Sequence, residues 1–143
     1  MKLTKPTKAN QIKRTWHFID VKAKILGRIA TSIAKLLIGK NKPYFVTNLD
    51  CGDYVVIVNA SRVAVTGSKS TQKIYMKYSG YPGGLKRKPF VKVMSENPTR
   101  IIYQAVSGML PKNKLRDSML KRLYIFADEK HPYGDKKFGG LEV

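Results

Sequence analysis

The sequence predicts a single α/β layer fold, and three observations lead there. Leu26, Ile29, Ala30, Ile33, Ala34 and Leu37 recur at helical spacing as one apolar stripe. Tyr54-Val55-Val56-Ile57-Val58 has no polar interruption, the pattern of a strand covered on both faces inside a parallel sheet. Strand-like and helix-like segments alternate along 143 residues. That length fits one domain and lets it bury roughly two-thirds of its unfolded surface.

Taken in order, residues 1–13 read as a flexible basic arm, polar and without periodicity. Trp16, Phe18 and Ile19 form a short strand ending at Asp20. The amphipathic helix follows, with Arg28 and Lys35 on another face; Gly39 ends it, and Lys40-Asn41-Lys42-Pro43 forms a basic turn. After the buried run, Val63-Ala64-Val65 and Ile74-Tyr75-Met76 read as further strands, the second nearer an edge. Gly80–Pro89 holds three glycines, two prolines and Lys86-Arg87-Lys88, which predicts a long exposed loop without helix or regular strand. Asn97-Pro98 starts a helix, with Asn97 as N-cap and Ile101, Ile102, Ala105, Val106, Met109 and Leu110 as its buried stripe. Pro111 ends it. Asn113 can cap another helix through Leu115, Met119 and Leu120, and Tyr124-Ile125-Phe126 is a last strand. The domain therefore spans 14–130, followed by a tail at 131–143 rich in Gly and Lys.

Charge narrows the function. Lys and Arg number 28 against nine acids, a formal net charge of +19. Such an excess repels itself in the compact state unless a polyanion neutralises it, and nucleic acid is the first candidate. The basic residues are spread along the chain, with no acid between Asp20 and Asp50 or between Asp53 and Glu96. A membrane-surface helix would concentrate them beside one large apolar face. Cys51 stands alone, which excludes a disulfide framework. No apolar run reaches the roughly 18 residues of a membrane span, and Met1–Arg14 has no apolar signal core. The expectation is a soluble, cytoplasmic protein, or a stromal one if plastid-encoded.

Enzymatic chemistry finds little support. Gly67-Ser68-Lys69-Ser70-Thr71 lacks the first glycine and the Gly-Lys-Ser/Thr order of a phosphate-binding loop. It reads as a turn between strands that leaves Lys69 free to meet a phosphate. Asp50 and Asp53, flanking Cys51-Gly52, are better explained by turn chemistry, their carboxylates bonding nearby amides. His17, His131 and Cys51 are too few and too scattered for a zinc site. No cofactor, metal or small-molecule substrate is expected.

The strongest constellation is Ser79-Gly80-Tyr81-Pro82-Gly83-Gly84-Leu85-Lys86-Arg87-Lys88. Gly83 and Gly84 allow close backbone approach, Tyr81 offers a ring for stacking, and Lys86, Arg87 and Lys88 supply phosphate contacts. A second basic loop, Gly108-Met109-Leu110-Pro111-Lys112-Asn113-Lys114, presents Lys112 and Lys114 beside a helix start. Arg28, Lys40, Lys42 and Lys69 complete the candidate RNA-binding set.

At these loops the sequence resembles the bacterial-type large-subunit ribosomal protein thirteen family. The matching pieces are Gly27-Arg28-Ile29-Ala30, Gly39-Lys40-Asn41-Lys42, Asp50-Cys51-Gly52-Asp53-Tyr54, Asn59-Ala60 with Thr66-Gly67, the two Gly/Pro motifs, and His131-Pro132. They run in order over about 16–132. The resemblance implies a monomeric structural component of the large ribosomal subunit, with no catalytic activity, that binds large-subunit ribosomal RNA early in assembly beside neighbouring ribosomal proteins. It also implies three α/β/α layers around a four-stranded, mostly parallel sheet, with basic loops and tails. The chain departs from the family pattern at Lys77-Tyr78, where members often carry histidines, and at Leu115-Arg116-Asp117, where many have Leu-Gly-Arg. The rival reading is a free-standing RNA-binding regulator or chaperone.

Overall fold

The structure is a computed structural model that describes residues 6–139. Among these residues the elements are β1 (Trp16–Asp20), α1 (Leu26–Ile38), β2 (Tyr54–Val58), α2 (Lys69–Gln72), β3 (Ile74–Tyr78), β4 (Leu85–Pro89), α3 (Phe90–Glu96), α4 (Pro98–Met109), α5 (Leu115–Leu120) and β5 (Leu123–Ile125).

The uninterrupted apolar run takes the place its pattern predicts. β2 is the central strand of a parallel sheet ordered β1-β2-β5, with Ile19 opposite Ile57 and Ile57 opposite Ile125. Val55, Val56, Ile57 and Val58 are all buried. Because side chains alternate along a strand, the two faces meet different partners. Val55 and Ile57 join Ile19 and Leu123 in the core beneath α1 and α4, whose stripes of Ile29, Ile33, Leu37, Ile101, Ile102 and Val106 fill the helix side.

The opposite face differs from the predicted second helix layer. Trp16 stacks on Tyr54, ring centroids 4.4 Å apart, and lies 5.9 Å from Tyr124. Tyr133 sits 4.7 Å from the Tyr124 ring, and Phe18 lies 5.3 Å from both His131 and Phe138. The Gly139 N–H donates to the Trp16 carbonyl at 2.9 Å. Aromatic rings of the C-terminal segment therefore cover this side of the sheet, each such ring pair adding about 0.5–1.5 kcal/mol beyond burial.

The four-stranded sheet is also revised. It has three strands, and β3 and β4 form a separate two-stranded antiparallel sheet. Val63-Ala64-Val65, expected as a strand, contributes a single parallel bridge: Leu26 N–H donates to the Ala64 carbonyl and Ala64 N–H to that of Lys24. The reason lies just upstream. Asn59 leaves β2 in the left-handed region (φ 61°), and Ala60–Arg62 winds into a 3-10 turn that carries the chain off the sheet.

Local signals account for some helix ends and not others. Gly39 closes α1 at φ 83°, its N–H bonded to the Lys35 carbonyl at 2.9 Å. Pro98 occupies the start of α4 as predicted, but Asn97 makes no side-chain cap. Its Oδ1 instead accepts the Thr99 hydroxyl at 2.6 Å. Asn113 likewise does not cap α5, which starts from Lys114 without a side-chain cap. Of the expected N-terminal arm, residues 1–5 lie outside the described residues; Thr7 Oγ1 donates to the Tyr44 carbonyl at 3.0 Å, tying residue 7 to the turn after α1. Residues 140–143 of the tail also lie outside.

Candidate nucleic-acid interface

The segment from Tyr54 to Ser95 holds Arg62, Lys69, Lys73, Lys77, Lys86, Arg87, Lys88 and Lys92 and no acid. Past β2, most of it folds into one lobe: α2, the β3–β4 hairpin and α3. Tyr75 and the α3 residues Phe90 and Val93 are its buried anchors, the two rings stacked at 6.5 Å. Apart from the half-buried Gly84 and Lys88, the rest of the hairpin is exposed.

The hairpin corrects the long loop predicted at Gly80–Pro89. Leu85–Pro89 is strand, because backbone pairing with β3 sustains it without any apolar alternation. Tyr78 pairs with Leu85, Lys77 with Lys86, Met76 with Arg87 and Tyr75 with Lys88. The strand thus splits the basic triplet. Lys86 shares a face with Lys77, whereas Arg87 lies on the other face beside Met76. At the tip, Gly84 N–H donates to the Tyr81 carbonyl at 3.0 Å, and Gly83 turns the chain at φ 73°. A side chain at Gly84 would place its Cβ 1.9 Å from Ser79 Oγ. The turn leaves Tyr81 75% exposed, its ring open to a stacking partner. Lys88 is the least free of the three, pairing with Glu96 at 2.5 Å.

The other candidates fall into three groups. Arg28 at the start of α1 and Lys69 on α2, 41 positions apart in the chain, border one cavity together with Lys73. Lys40, Lys112 and Lys114 are exposed on the connections after α1 and α4. Lys42 is different, because the structure turns it inward. Its ammonium donates to the Lys13 carbonyl at 2.7 Å, the Cys51 carbonyl at 2.8 Å and Asp53 Oδ1 at 2.5 Å, so all three protons are engaged.

Asp53 and Asp50 are structural, as the sequence predicts: Asp50 Oδ1 accepts the nearby Gly52 N–H at 3.4 Å, but the side-chain partners of both acids come from other parts of the chain. Asp53 accepts from Lys42, from His17 Nε2 at 3.1 Å and from the Thr15 N–H at 2.9 Å. Burial pushes its carboxyl up, but the bonds from His17, Lys42 and Thr15 outweigh that and bring its pKa down to about 2. Asp50 receives a two-pronged pair from the buried Arg122. The same guanidinium donates to the Ser118 carbonyl at 3.0 Å and, at 3.3 Å, to the Leu37 carbonyl in the last turn of α1. Arg14 adds bonds to the Gly52 and Asp50 carbonyls at 2.7 and 3.1 Å. Gly52 makes this junction possible, since a Cβ there would fall 1.7 Å from the Leu37 carbonyl oxygen. Sequence reasoning missed Arg14 and Arg122. The one available signal was a pair of acids in a chain with very few.

Two of the chain's nine acids are therefore consumed inside the protein, while an acid-poor lobe displays its cations. Among the described residues no group of His, Cys, Asp and Glu could hold a metal ion, and no helix is long and apolar enough to cross a membrane. The fold and surface define a class: a basic α/β protein whose charged groups are either locked into its scaffold or exposed on its surface. The model of the family "Ribosomal protein L13" matches residues 14–132, and the chain belongs to that family. Relatives carrying the name large ribosomal subunit protein uL13 include one from Desulfitobacterium hafniense, 49% identical over 126 residues and 88% of each chain. One from Herpetosiphon aurantiacus is 46% identical over 90% of each chain. One from Alcanivorax borkumensis is 43% identical over 98% of this chain and 99% of its own. The family is one of ribosomal structural proteins and not of enzymes. These relatives are bacterial, and nothing in them supports a plastid location.

Proposed function

We propose that this chain binds large-subunit ribosomal RNA as a monomer, joins the subunit early in its assembly and stays there beside neighbouring ribosomal proteins. The observation that carries the reading is the acid-free run of eight cations between Tyr54 and Ser95, most of it on the lobe of α2, the hairpin and α3. Arg28, Lys40, Lys69, Lys86, Arg87, Lys112 and Lys114 are the phosphate contacts, Tyr81 is the stacking surface, and Gly83 and Gly84 shape the turn that presents it. Lys88 joins them by exchanging Glu96 for phosphate.

The reading is tested in two steps. In a lysate separated by sedimentation, the protein should travel with the large subunit and its early precursors. A free-standing regulator would spread through the light fractions. Binding to large-subunit RNA should also weaken steeply with salt, since each neutralised phosphate releases counterions and several such pairings give a log–log slope of several units. A flat salt response excludes this mode of binding.

A further inference from the structure

We infer that the cavity between α1, α2 and α4 is a pocket for one unstacked nucleotide, its base on an apolar floor and its phosphate on a cationic rim. The inference rests on the RNA-binding reading and gives it a defined site. The cavity measures about 420 Å³, inside the range of roughly 300–1,000 Å³ typical of small-molecule sites. Ile25, Val65 and Met109 form its floor, with Met109 42% exposed although it belongs to a helix whose other large apolar residues are mostly covered. Arg28, Lys69 and Lys73 stand at the rim, and no carboxylate lines it.

Three features favour a nucleotide over a bare anion or an apolar ligand. The cations come from two places in the chain: Arg28 from α1, and the pair Lys69 and Lys73 from the first residue and the C-cap of α2. The meeting of Arg28 with that pair, across 41 positions, is thus a product of the fold. The Ile25–Val65 side of the lining is held in place by the bridge between Ile25 and Ala64 and the bond from Leu26 N–H to the Ala64 carbonyl at 2.9 Å, so its apolar side chains keep fixed positions beside the cations. A second hollow, lined by Thr66, Gly67, Ser68, Gln72 and the same Lys69 and Lys73, continues past the rim and offers a path for the next phosphate. Recognition of single-stranded RNA works through such splayed-out bases, packed on side chains while cations hold the backbone.

The test uses the full chain with 13C-methyl-labelled Ile, Val and Met, titrated separately with adenosine 5′-monophosphate, uridine 5′-monophosphate, the matching nucleosides and inorganic phosphate. The pocket predicts saturable shifts of the Ile25, Val65 and Met109 methyls with the monophosphates, and affinities lower by about tenfold or more with either partial ligand. The variant Lys69→Ala with Lys73→Ala should lose a similar factor, with its remaining methyl signals unmoved to show an intact fold. Equal binding of phosphate and nucleotide, or shifts scattered over the whole basic surface, would overturn the pocket. Binding of large-subunit RNA is measured alongside. If RNA binds while these methyls stay still and the double variant matches the parent, the pocket alone is wrong. If the parent binds no RNA, the wider reading falls.

Discussion

The three-stranded body and the hairpin lobe treat charge in opposite ways. In the body, Asp50 and Asp53 sit within nets of Arg14, His17, Lys42 and Arg122, whose donors are taken up by carboxylates and carbonyls of the protein itself. In the lobe, Lys77, Lys86 and Arg87 stand exposed on a ribbon whose large residues Met76, Tyr78 and Tyr81 are also exposed. Charge in the body has desolvation to overcome and is stabilising only when fully bonded. Charge in the lobe keeps its water and needs no partner within the protein to be stable. One kind of residue thus serves as scaffold or as surface according to what lies within hydrogen-bond distance.

Substitutions can break this contrast, and the largest effect is expected at its centre. Arg122→Ala would strand the partly buried Asp50 and free the Leu37 carbonyl, at a cost of about 3 kcal/mol. Urea denaturation would measure it, and an unchanged midpoint would show the net to be ornamental. Ile57→Ala probes the apolar half of the body. The side chain is fully buried in β2, and its truncation should cost about 2–5 kcal/mol while leaving RNA affinity per folded molecule intact.

Acid should dismantle the body by another route. The Asp53 carboxyl titrates at about 2 when folded against an ordinary 3.8, so the unfolded chain takes up its proton first. Stability from this group is complete above pH 3.8 and is lost as pH falls through about 2, a change of about 2 kcal/mol. Denaturation midpoints between pH 5 and pH 2 would follow it. Asp53→Asn should start less stable but show a flatter profile. The smallest stability change belongs to the lobe. Lys77→Ala, Lys86→Ala and Arg87→Ala together remove solvated charges and should shift stability by no more than about 0.5 kcal/mol. The same triple variant should lower the salt slope of RNA binding by roughly 0.7–0.9 for each phosphate it no longer neutralises. A collapse in melting temperature with an unchanged slope would reverse the two roles.

The sequence revealed the body better than the lobe, for physical reasons. The i, i+3, i+4 stripe of α1, the Gly39 stop and the unbroken Tyr54–Val58 run are signals that burial itself imposes, and each found its place. Leu85–Pro89 carries no such imprint, because Lys86, Arg87 and Lys88 form a strand only through the backbone ladder to β3. The α3 helix begins directly after Pro89, in a stretch to which the sequence pattern assigned no element. Arg122 stands 72 positions from Asp50, beyond the reach of any local spacing rule. The rings of His131, Tyr133 and Phe138 have no period of their own, so their seat on the sheet was hidden too. In the candidate interface, residue types were legible but directions were not. Lys42 and Lys40 look alike in sequence, yet only Lys42 has carbonyls and a carboxylate waiting for it.

The 72-residue separation of Asp50 from Arg122 also has a meaning in time. Synthesis at roughly 5–20 residues per second puts about 4–14 s between the two side chains leaving the translating ribosome. Through that interval β2 lacks its β5 neighbour, and the end of α1 lacks the guanidinium that meets its Leu37 carbonyl. The chain from Arg122 onward is thus the step that commits the body to its final form, and the nascent protein must wait for it with its central strand uncovered on one edge.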